Sequence, residues 1–513
     1  VSTQLLSIVT FMPTFAALIL ALFLRGDDEA AQRNAKWLAL ITTTVTFLIS
    51  LFVLFEFAPA DTGFQFVVAA QWLMGMEYRL GVDGISLFFV ILTTFMMPLV
   101  IAASWGIGHR VKEYIIAFLL LETALLGAFM ALDLILFYLF VEASLIPLLL
   151  IIGIWGGKDS RAAAFRLFLS ALFGAVLMLV AMLAMFSDAG TTCIGGCDIS
   201  LLNHQFNTSP VTIAGTEVAG GAQTLLLMAF LISLAVKLPL WPLHTWFPSA
   251  LAAAPTAGAM VVAALLVQLG GYGLLRFAVP MFPVGVEVLT PLIMWLAASG
   301  IVYAALAALA QDDIKRLLAY VAMAQMGLVT LGIFAGTQQG FDGAIFQMIS
   351  HGLVTGALFL CVGVLSDRMA TQDIDAYGGL ISRMPRYALV LMIFAFAVTG
   401  MPGTAGFAGH LLILIAVFGA HTGVALTAMA GLVVMAAGVF WLYRRVVLGE
   451  LIKESLKAIS DMTLRERLTF APLVLMTVVL GLYPALVLDI IGPSVAALVE
   501  SYDAAIDAAT GAE

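Results

Sequence analysis

The chain has 513 residues, of which 63% are hydrophobic and only 10% charged, with a mean hydropathy of +1.11. A water-soluble domain carries about 25% charge, so this composition excludes a soluble globular protein. The net charge of −9 says little about partners when so few charges are exposed, and no basic patch outside the juxtamembrane loops could serve nucleic acid.

Apolar runs of about twenty residues recur along the chain, each long enough to cross a hydrocarbon core of roughly 30 Å. Lipid gives the backbone no hydrogen-bond partners, so each run is predicted to be a helix. A β-barrel is excluded because the runs are continuous rather than alternating. The fold class is all-α, a polytopic bundle of about fourteen spans. The first, Leu5–Leu24, reads as a retained span because no short apolar region with a cleavage site stands there. Later spans fall near 35–57, 86–106, 114–131, 133–154, 163–187, 222–241, 256–278, 286–310, 314–335, 343–365, 387–420, 423–446 and 469–491. A cytoplasmic interfacial helix is predicted over Gly449–Leu468, and a small, acidic, frayed tail after Ser501.

Charge tests this count. Nineteen of the 22 Lys and Arg fall in alternate loops; the other side holds only Arg79 and Arg276, and Lys237 lies within a span. The positive-inside rule makes the basic side cytoplasmic and places both termini outside. Cys193 and Cys197 then share an outer loop, where a disulfide and two free thiols are both open readings, while Cys361 reads as a packing residue.

A charge at mid-membrane costs about 2.5–3.5 kcal/mol on insertion scales, so those retained are paired or line a wet cavity. Glu122 lies in the fourth span, Glu142 in the fifth and Lys237 in the seventh, where Pro239 and Pro242 follow at once. Each proline removes a backbone donor, so this span is predicted to break beside its lysine. A Lys237–Glu142 pair would act as a protonation switch, since separating the partners lowers the lysine's proton affinity. The alternative, less favoured where intramembrane charges are functional by default, is a static ion pair fastening two spans. The twelfth span breaks at Gly400–Gly409, with His410 next. Two broken spans five apart suggest inverted repeats. The units read as three N-terminal spans (1–112), a first half-channel (113–280), a second (281–447) and a terminal segment (448–513).

His351, in the eleventh span, can pass protons near neutral pH or serve as a hydrogen-bonded core residue. Gln268 and Gln325, in spans eight and ten, can order water but cannot carry a proton as ionised groups. No Walker, Rossmann, CxxC or HExxH pattern occurs, so no cofactor or hydrolytic chemistry is expected on the chain.

The segments GVDGISLFFVILTTFMMPL (81–99), VEASLIPLLLIIGIWGG (141–157), VKLPLWPLHTWFPSALAAAPTAG (236–258), QDDIKRLLAY (311–320), SHGLVTGALFLCVG (350–363), DIDAYGGL (373–380) and GMPGTAGFAGHLLIL (400–414) run through nearly the whole sequence. Together they resemble the antiporter-like membrane subunits of proton-pumping NADH:quinone oxidoreductase, respiratory complex I, and among these the subunit M family. The length argues against subunit L, which carries a long lateral helix. The resemblance implies a proton-translocating unit of a bacterial inner membrane, beside antiporter-like subunits L and N. It also implies that NADH, FMN, iron–sulfur clusters and quinone are bound by other subunits. It assigns proton transfer to Glu142, Lys237 and His351.

Four positions depart from the family pattern. Gln268 stands where the family usually has lysine, Gln325 and Leu251 where it has histidine, and His410 where it has glutamate. His410 can still accept and donate a proton, but its charged form is a cation. A scaffold with impaired conduction and a subunit of a multi-subunit cation/proton antiporter are the alternatives to a working proton channel.

Overall fold

The computed structural model describes residues 4–510 apart from 25, 27, 72–76, 190–210 and 214–215; Cys193 and Cys197 lie outside the described residues. The first six helices are α1 (Leu5–Phe23), α2 (Glu29–Glu56), α3 (Gly84–Ala103), α4 (Val111–Met130), α5 (Leu134–Trp155) and α6 (Ser160–Ala189). Next come α7 (Gly221–Lys237), the short α8 (Trp246–Ala253) and α9 (Thr256–Met281). The second part holds α10 (Pro283–Leu309), α11 (Ile314–Phe334), α12 (Gln338–Met369), α13 (Pro385–Val398), α14 (Ala405–Ala420) and α15 (Thr422–Val446). The chain closes with α16 (Glu454–Lys457), α17 (Leu464–Leu482) and α18 (Ala485–Thr510). Among the described residues, twelve helices are long and apolar enough to cross a membrane, and α7, α13 and α14 are shorter apolar helices.

Burial sorts the helices. The spanning windows of α9 and α12 are 100% buried and that of α11 94%, whereas α2 buries 33% and α6 39%. The first three therefore form the axis of the molecule, and the others turn apolar faces outward, with Phe15, Leu22, Phe55, Leu169 and Val433 exposed. In water such a surface would aggregate; in lipid it needs no partner.

Aspartates start several helices. Asp83 forms a capping box with Ser86 at α3, Asp133 accepts from Ile135 N and Leu136 N at α5, and Asp313 accepts from Arg316 N at α11. Each carboxylate satisfies donors that have no intrahelical acceptor. Asp83 also takes a 2.5 Å ion pair from Arg276 near the end of α9, joining the two helices.

The structure departs from the sequence reading at four places. The connection after α2 contains an antiparallel hairpin, β1 (Gln65–Gln71) with β2 (Glu77–Val82), which the hydropathy reading left unassigned. The interfacial helix expected over Gly449–Leu468 reduces to α16, because Thr463 and Glu466 form a capping box that starts α17 instead, and Arg368 holds Ser460 O and Asp461 O outside any helix. The span expected over 469–491 is two helices, since Pro484 cannot donate and Tyr483 leaves helical geometry (φ −134°, ψ 69°). α18 continues to Thr510 rather than fraying after Ser501. It meets the starts of other helices: Gly84 N donates to Ser494 Oγ, and Gln338 Nε2 to Gly492 O.

Candidate functional site

Helix α7 ends where its prolines dictate. Pro239 has no N–H, and Leu240 N reaches back to Ala235 O at 2.9 Å, while the Trp246 indole takes up Val236 O at 2.9 Å. The broken backbone is thus satisfied without closing the helix, and Lys237 is left at its last turn. Helix α9 passes very close to this point: a Cβ on Gly270 would lie 2.7 Å from both Leu234 O and Leu238 N. Only glycine permits that approach.

Lys237 is 3% exposed, and its Nζ donates to Glu142 Oε1 at 3.0 Å and to Ser233 Oγ at 3.5 Å. Glu142 is 18% exposed, so the pair runs from the buried break to the flank of α5. Two ions that would each be costly alone neutralise one another here. Glu122 is placed differently: it is fully buried in α4, and neither carboxylate oxygen has a hydrogen-bond partner among the described residues.

The axis continues through α9 and α12. Two π-helical stretches, Val262–Leu266 and Leu274–Ala278, flank Gln268. The first presents Ala263 O to His351 Nε2 at 3.1 Å, while Thr355 Oγ1 lies 3.2 Å from His351 Nδ1. Facing a carbonyl, Nε2 must carry a proton, which leaves Nδ1 as the acceptor of the threonine hydroxyl. Gln268 Nε2 donates to the adjacent Ala264 O at 3.1 Å, and its Oε1 has no partner among the described residues. A π-bulge inside a buried helix is a common device for exposing backbone groups.

Beyond His351 the polar groups are amides. Gln325 Nε2 donates to Val398 O, the last residue of α13, at 2.6 Å, and Gln325 Oε1 accepts from Gln347 Nε2 at 2.5 Å. Gln347 Oε1 is buried without a partner among the described residues and lies against Gly409. The break between α13 and α14 uses Gly400 at φ +73°, packed over the His410 ring. His410 Nδ1 donates to Gly406 O at 2.5 Å, and its Nε2 is buried and unpaired among the described residues. Leu251, in α8, is fully buried among apolar neighbours.

The structure therefore brings Glu142 to Lys237, sets His351 and Gln268 on neighbouring carbonyls, and joins Gln325 to the second break. Among the described residues no direct hydrogen bond links Lys237 to Gln268 or His351 to Gln325. Proton passage between these clusters needs water. Two residues escaped the sequence reading. Gln347 sits one turn before His351 on α12, a spacing of four that could have revealed it. His244, 4% exposed after the first break, has its Nε2 3.3 Å from the Tyr303 hydroxyl.

A bundle with a paired acid and base at one interrupted helix and a histidine at another defines an ion-translocating membrane protein of the antiporter type. Residues 131–436 match the family described as NADH:quinone oxidoreductase/Mrp antiporter, transmembrane, and residues 29–131 the amino terminus of NADH-ubiquinone oxidoreductase chain 4. The chain is 58% identical to NADH-quinone oxidoreductase subunit M of Rhodobacter capsulatus, covering 98% of this chain and 97% of that one. It superposes on a chain of respiratory complex I from Thermus thermophilus with bound NADH at TM-score 0.85 and 27% identity, covering 97% and 99%. A chain of the Mrp complex from Dietzia sp. shares the fold at TM-score 0.82 and 19% identity, covering 98% and 99%. This chain belongs to the family of antiporter-like membrane subunits of NADH:quinone oxidoreductase.

Proposed function

We propose that the chain is a proton-translocating membrane-arm subunit of NADH:quinone oxidoreductase, with Glu142 and Lys237 as its ionisable switch. The 3.0 Å pair at the broken α7 carries this reading. With the pair closed, both partners are charged; drawing Glu142 away leaves a buried ammonium whose proton is then released toward the axis. Water ordered near Gln268 takes the proton toward His351, whose Nδ1 is its accepting nitrogen. His410, through its buried Nε2, is the onward acceptor at the second break. Glu122 contributes a second carboxyl group near the first half. In this reading the chain has no redox centre, and NADH, FMN, iron–sulfur clusters and quinone belong to other subunits. Its neighbours are subunits L and N, its termini face the periplasm, and its two half-channels occupy 113–280 and 281–447.

The Gln325–Gln347–Val398 amide bridge favours a second reading, a scaffold whose outer half conducts poorly, because none of its members ionises. The decisive experiment measures NADH-driven proton uptake by the complex in vesicles. Glu142→Ala or Lys237→Ala should abolish most uptake per NADH while assembly is retained. Unchanged uptake in a fully assembled complex would defeat the pumping role.

A further inference from the structure

An apolar groove of about 440 Å³ opens on the flank of the bundle where α2, α3 and α17 meet, lined by Trp37, Leu40, Pro98, Trp105, Leu468 and Arg465. All three helices reach this point at their basic-side ends, so the groove lies at the level of the cytoplasmic leaflet's headgroups. Its rim is aromatic: Trp37 is half exposed and meets Trp105 edge-on at 5.2 Å, an arrangement suited to the membrane interface. Its mouth is cationic. Arg465 lies within electrostatic range of Lys36, which stands beside Trp37 and donates to Trp105 O at 2.8 Å and Ile107 O at 2.7 Å. Two carboxylates are near. Glu466 is engaged by a double hydrogen bond from Arg368, each at 2.8 Å, and Asp367 is the acidic neighbour of Arg465. Two cations against the one carboxylate left leave the mouth positive.

We propose that this groove binds one anionic glycerophospholipid of the cytoplasmic leaflet, its phosphate held by Arg465 and Lys36 and an acyl chain lying along Leu40, Pro98 and Leu468. A neutral annular lipid would have no use for a cationic mouth, and a soluble anion none for the apolar floor. The seated lipid fastens the amino-terminal helices α2 and α3 to α17.

The test uses the intact purified complex in nanodiscs and a phosphatidylglycerol carrying a photoreactive acyl chain. Labelling is expected in peptides from 29–56, 84–106 and 464–482, and an unlabelled phosphatidylglycerol should compete. Each basic residue near an anionic surface contributes about 1 kcal/mol, so Arg465→Gln should weaken competition about fivefold, and Arg465→Gln with Lys36→Gln about thirtyfold. Lys36 also holds the end of α3, so Arg465→Gln alone and Trp37→Ala, which touches no backbone carbonyl there, serve as independent variants. Equal labelling by the phosphatidylcholine analogue would overturn the proposal, as would full competition by inorganic phosphate. Protection of these peptides by a protein neighbour in lipid-free complex would also overturn it.

Discussion

At the scale of single residues, the balance between charge and membrane decides what each group can do. Lys237 and Glu142 are tolerable because they are paired; removing either leaves the other as an uncompensated charge, a loss of about 3–5 kcal/mol for a buried pair. A double variant, Glu142→Gln with Lys237→Met, should therefore assemble better than either single alanine variant yet pump no better. Quantifying assembled complex beside proton uptake separates the two effects. Gln268 and His410 occupy positions where an ionisable lysine and a carboxylate would complete a relay. If the outer half limits conduction, Gln268→Lys with His410→Glu raises proton uptake per NADH; an unaltered yield would show that His410 and water suffice. Gln347 predicts its own outcome. Gln347→Leu removes the donor that holds Gln325, and should alter uptake while leaving the Lys237–Glu142 pair untouched.

At the scale of elements, the two broken helices are positions where irregular backbone is tolerated because protein encloses it. The first break depends on α9 lying against it at Gly270. Gly270→Ala places a methyl carbon 2.7 Å from two backbone atoms that cannot move independently, so α9 must shift away from the break. Lower pumping with a destabilised complex is the expected result, measured by uptake and by thermal dissociation. The start of α3 has its own fastening. Asp83 caps α3 and pairs with Arg276 of α9, so Arg276→Ala strands a carboxylate and should cost on the order of 3–5 kcal/mol in stability. Thr463→Ala removes half of the capping box of α17 and should cost only about 1 kcal/mol. A smaller melting shift for Thr463→Ala than for Arg276→Ala checks the ordering.

At the scale of the whole molecule, the buried column of α9, α11 and α12 is the axis along which the polar groups lie, and the other helices shield it from lipid. In the proposed reading, energy for directed transport comes from elsewhere in the assembly. Copurification of the chain with an NADH-oxidising peripheral arm is expected; recovery solely with cation/proton antiporter subunits would reverse the assignment. Hydropathy and the one-sided distribution of Lys and Arg made the helical bundle legible in the sequence, because lipid forces unpaired backbone into helices whatever the neighbours are. The break at Lys237 was legible too, since a proline's missing donor is a local property, and so was the rarity of Glu142 within its span. The sequence could not show the hairpin, the course of α18, the shortened α16 or the Gln325–Gln347 bridge. Each depends on partners far apart in the chain, such as Ser494 meeting Gly84 or Arg368 holding Ser460, and no local pattern encodes which surfaces meet. The fold class thus follows from the sequence through solvation alone, while tertiary packing decides which of its charged and polar groups meet.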